Sequence, residues 1–69
     1  MTDEYVLTEL DRLFAVIKAE SGDDEAQHSA EDKMHVLALK AILDGSDCPR
    51  ELAASALRAN GMDFCRWCA

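Results

Sequence analysis

Little in this chain bends it, crosslinks it or gives it positive charge. There is one proline, Pro49, and the three glycines Gly22, Gly45 and Gly61 stand far apart, so no glycine-rich loop exists to cradle a phosphate. Lysine and arginine number 7 against 14 acids, which leaves no basic patch for a phosphate backbone and disfavours direct nucleic-acid binding. No apolar run approaches the length needed to span a bilayer. Asp3 and Glu4 occupy the place where a secretory signal would carry positive charge, and the expectation is a cytoplasmic chain without membrane contact whose thiols stay reduced. Three cysteines cannot pair off internally, so disulfides are not the expected staple. At 69 residues one small domain forms at most, and a core of that size barely offsets conformational entropy. The usual remedies left are a metal or a second subunit.

What is present is helical periodicity. A first helix is expected over about 3–20, with Thr2 or Asp3 as cap and acids in its first turn. Val6, Leu10, Leu13 and Ile17 follow the 4-3-4 spacing of a coiled-coil seam, widened by Leu7 and Phe14. Ser21-Gly22-Asp23-Asp24 ends that helix, and Asp23 to His28 reads as a polar, mobile loop. Ser29 with Asp32 suggests the cap of a second helix over about 30–44, stopped by Gly45. At 100° per residue its side chains divide into two apolar faces, Met34, Leu37, Ala38 and Ala41 against Val36, Leu39 and Leu43. One neighbouring segment would not cover both. A third, alanine-rich helix over about 49–60 is announced by Cys48-Pro49-Arg50-Glu51 and ended by Asn60-Gly61, leaving a tail at 61–69. The fold expected is all-α, an antiparallel helical hairpin plus a short third helix. Two copies would associate through the first and second helices into a dimeric bundle that buries Val6, Leu10, Leu13, Phe14, Ile17, Met34, Leu37, Leu39 and Leu43.

The sharpest local pattern is Cys65-Arg66-Trp67-Cys68, a spacing at which two thiolates reach one zinc ion or form a redox pair. It is half of a metal site; completing it would take Cys48 and one of His28 or His35, from three separate elements. A redox motif would sit after a strand, and no strand is expected. Neither histidine has a nucleophile or carboxylate at a spacing that implies catalysis. Asp23-Asp24-Glu25 lacks the alternating ligands and glycine of a calcium loop and reads as a solvated charge run. A helix-turn-helix over Leu39–Met62 would put Lys40 and Asp44 where apolar packing is required and would offer phosphates only Arg50 and Arg58. Leu10-Asp11-Arg12-Leu13-Phe14-Ala15-Val16-Ile17 resembles the first helix of the phosphoribosyl-ATP pyrophosphatases, a helical family that hydrolyses nucleotides with magnesium. The resemblance spans under a third of the chain. Where that family carries its Glu-Glu-x-x-Glu metal motif this chain has Lys33-Met34-His35-Val36-Leu37, so the activity is not implied.

Charge is divided unevenly. Residues 1–32 hold ten acids and two bases, a net −8, whereas 33–69 net +1. Such a chain suits a basic protein surface. Tyr5, Glu9, Arg12 and Val16 form a line on the first helix beside its apolar seam. Tyrosine, arginine and tryptophan are favoured at interface hot spots, so this line with Phe64 and Trp67 of the tail is the expected partner-binding set. The function expected is a small acidic, non-enzymatic regulator or inhibitor, without a cofactor. It would block a larger host protein such as a DNA-binding transcriptional regulator; phage and mobile-element products supply the analogy. The alternative is a zinc-stapled helical adaptor using Cys48, Cys65 and Cys68.

Overall fold

The computed structural model describes residues 2–20 and 22–61, and every regular element among them is helical. Helix α1 spans Asp3–Ala19. Thr2 caps it, its hydroxyl accepting the Tyr5 N–H at 3.1 Å, while Asp3 and Glu4 place negative charge against the positive end of the helix dipole. Val6, Leu10, Leu13 and Ile17 are all buried. The seam that the sequence offers for a helical partner is therefore consumed inside one chain.

Helix α2 spans Asp24–Leu43, beginning well before the start expected near residue 30. The stretch expected as a polar loop is helix, and Ser29 lies within it rather than capping it. Asp23 is the cap: its carboxylate accepts the Ala26 N–H at 3.1 Å, and Asp24 and Glu25 follow as first-turn acids. The acidic run is thus a helix start, since an aspartate followed by acids complements the exposed N–H groups. Only Gly22 remains to reverse the chain among the described residues of the turn, at φ 98°, a conformation that costs glycine nothing. Gln27 then fastens the two helices. Its side-chain amide donates to the Ile17 carbonyl at 2.8 Å and is 5% exposed, satisfying a carbonyl that the end of α1 would leave orphaned.

The helices run antiparallel. Gln27 near the start of α2 meets Ile17 near the end of α1, and at the other end the Asp47 N–H, just past α2, donates to the Asp3 carboxylate at 3.1 Å. Gly45, at φ 92°, turns the chain out of α2. Helix α3, Pro49–Ala56, opens with proline at its first position, and the Ser46 hydroxyl accepts the Cys48 N–H just ahead of it at 3.1 Å. The third element is not one α-helix to residue 60: from Leu57 to Gly61 it tightens into a 3-10 helix. Gly61 carries no left-handed φ and is not a left-handed helix stop. Leu52, Ala56 and Ala59 complete the core with Met34, Ala38 and Ala41 of α2. Arg58 clamps this segment to α1, its guanidinium donating to Asp11 at 2.8 Å and to the Ser55 carbonyl at 2.9 Å while lying 4.6 Å from the Phe14 ring centre.

Candidate protein-docking face

The line Tyr5, Glu9, Arg12, Val16 exists as a line, but its members are largely engaged with their own chain. Arg12 donates through Nε to Glu9 at 2.7 Å. That hydrogen bond holds the Glu9 carboxyl below its usual range and raises the guanidinium further. Val16 is half-buried against the core, and Arg12 and Val16 line a shallow groove with Glu20, Asp23, Ala26 and Lys33. Tyr5 stands exposed at the start of the helix. Phe64 and Trp67, the other two members of the expected set, lie outside the described residues.

A larger apolar surface lies on α2. Met34 is buried and Leu37 half-buried toward α1, and Phe14 is half-buried. Leu39 and Leu43, by contrast, are 66% and 86% exposed, so neither belongs to the core of the single chain. Val36, 49% exposed, shares their stripe of the helix, and Leu57 of the 3-10 segment, 54% exposed, lines a groove together with Leu39. The reason is geometric. Helix α1 covers one side of α2 and the short α3 covers the next, but α3 offers alanine where a longer chain would offer bulk. Between α2 and α3 this leaves a groove of about 290 Å³ lined by His35, Leu39, Ile42, Ala53, Ala56 and Leu57. The two-sided pattern of α2 was readable in the sequence; the groove and Leu57 were not. Their one signal was the poverty of α3 in large side chains.

Among the described residues no group of three or more histidine, cysteine and acidic side chains is disposed to hold a metal ion. Cys65 and Cys68 lie outside the described residues. Cys48 is half-buried, and although the Ser46 hydroxyl favours its thiolate, burial and the negative charges of Asp3 and Glu51 outweigh this and push the thiol pKa up. His28 Nδ1 stands 3.4 Å from the Asp32 carboxylate one turn along α2, and His35 lines the groove.

Charge gathers at the opposite end of the hairpin, where Glu20, Asp23, Asp24 and Glu25 surround the Gly22 turn. No described helix is long and apolar enough to cross a membrane. Comparison with protein-family models, with curated proteins and with solved structures gives no match, so the reading of this face rests on its own residues.

Proposed function

We propose that the chain is a small acidic protein-binding module that regulates or inhibits a larger protein by covering part of its surface, without chemistry of its own. One observation carries this reading: Val36, Leu39, Leu43 and Leu57 stand outside a core that is already filled. Contiguous apolar exposure on so small a molecule marks a contact surface. The net charge of −7 and the acidic turn favour a partner with a basic surface, such as the DNA-contacting side of a transcriptional regulator, because complementary charge speeds encounter and excludes wrong partners. Apolar anchors on α2 and α3 would supply the affinity.

The test is capture of proteins from cell extract by the immobilised chain at about 50 and 500 mM salt, screening lengths of roughly 14 and 4 Å. A specific basic partner retained at low salt, weakened at high salt and lost with a Leu39→Glu, Leu43→Glu double variant supports the reading. An identical set of captured proteins with the double variant overturns it.

A further inference from the structure

The exposed face of α2 and α3 carries an apolar ridge beside a groove, and Leu39 belongs to both. Leu39 and Leu43 project from α2, and the groove beside them is floored by Ala53 and Ala56, whose small side chains let another helix approach closely. Resting on the reading of this face as a contact surface, we propose that in the absence of the larger partner its occupant is a second copy of the same chain, which that partner displaces. The two α2 helices lie against each other about a two-fold axis, and the Leu39–Leu43 ridge of each copy enters the α2–α3 groove of the other.

Area supports this choice. The four exposed side chains offer on the order of 400–500 Å² of apolar surface, about the largest patch an ordinary monomer shows. With His35, Lys40 and Asp44 at the rim, each copy approaches the roughly 600 Å² per partner at the low end of specific interfaces. A two-fold contact uses the same patch twice, so the excess on one copy is covered by the identical excess on the other. Lys40 and Asp44 flank the ridge with opposite charges. The interface differs from one built on the α1 seam, because Val6, Leu10, Leu13 and Ile17 are already buried within the chain.

The test is the solution mass of the purified full chain by sedimentation equilibrium between about 5 and 500 μM, at about 50 and 500 mM salt. The expected result is a shift from the 7.6 kDa single chain toward twice that mass as concentration rises. Salt should strengthen association several-fold, because each copy bears −7 and screening relieves their mutual repulsion. Leu39→Glu, at an exposed position, should leave helical circular dichroism unchanged and weaken association at least tenfold. Ala53→Phe, which fills the groove and spares the ridge, should do the same, while Tyr5→Ala on α1 should not. A natively helical single chain throughout the concentration range overturns the proposal, as does a dimer that Leu39→Glu and Ala53→Phe leave intact or that salt dissolves. Failure here is separable from failure of the functional reading: a monomer that still captures a basic partner sinks only the self-association, and a dimer that captures nothing sinks only the regulator.

Discussion

Single side chains settle more of this structure than their positions in the sequence suggest. Gln27 falls in a stretch that reads as polar loop, yet its amide closes the end of α1 through the Ile17 carbonyl. Replacing it by leucine strands a buried acceptor, which costs about 1–3 kcal/mol; urea unfolding of Gln27→Leu should register that loss, and an unchanged midpoint would show that the bond contributes nothing. Asp3 ties the other end together. Its carboxyl is held below the usual range chiefly by the Ser46 hydroxyl; burial, next in size, opposes this, and the Asp47 N–H and the Cys48 thiol add to the lowering. A carboxylate whose folded pKa is depressed stabilises fully above the ordinary carboxylate range near 4, and that contribution disappears as pH falls through the depressed value. The stability gap between the wild-type chain and Asp3→Asn should therefore be open at pH 6 and close progressively below pH 4. A gap that stays constant from pH 6 to pH 2.5 would contradict the assignment.

At the scale of elements, helix ends are the sensitive places. Asp23 caps α2, so Asp23→Ala should destabilise the chain by about 1 kcal/mol, with lost helicity at the start of α2 visible as faster amide exchange at Ala26 and Gln27. Gly45 has open space around the position of a β-carbon but a φ of 92°. Gly45→Ala should cost about 1–2 kcal/mol in thermal or urea unfolding through backbone strain alone, not through collision. Helix α1 was legible because cap, first-turn acids and 4-3-4 spacing all agree on it. The start of α2 was not, because Asp23 and Ser29 present nearly the same cap signal and the residues between them carry almost no apolar periodicity. What decides between the two caps is the Gln27 bond to α1, a tertiary contact invisible to any local pattern. The 3-10 segment was missed for a similar reason: Leu57 to Gly61 is pinned by Arg58 to Asp11 and Phe14, across 47 and 44 positions of chain.

For the molecule as a whole, the two sides of α2 have separate duties. Met34 is fully buried between the helices, and Met34→Ala should lower unfolding free energy by about 2–5 kcal/mol, whereas Leu43→Ala should change that of the isolated chain by no more than about 0.5 kcal/mol. Both are readable by chemical denaturation at a concentration where only single chains are present. The sequence made the two faces of α2 visible but not which was taken, since α1 had equal claim as an internal neighbour or as a dimer seam. It did not make the docking groove visible at all, because that depends on how far α3 reaches along α2. Because Leu39 and Leu43 lie outside the packed interior, substitutions there can retune what the chain binds without unfolding it, whereas Met34, Ala38 and Ala41 on the reverse of the same helix leave no such latitude.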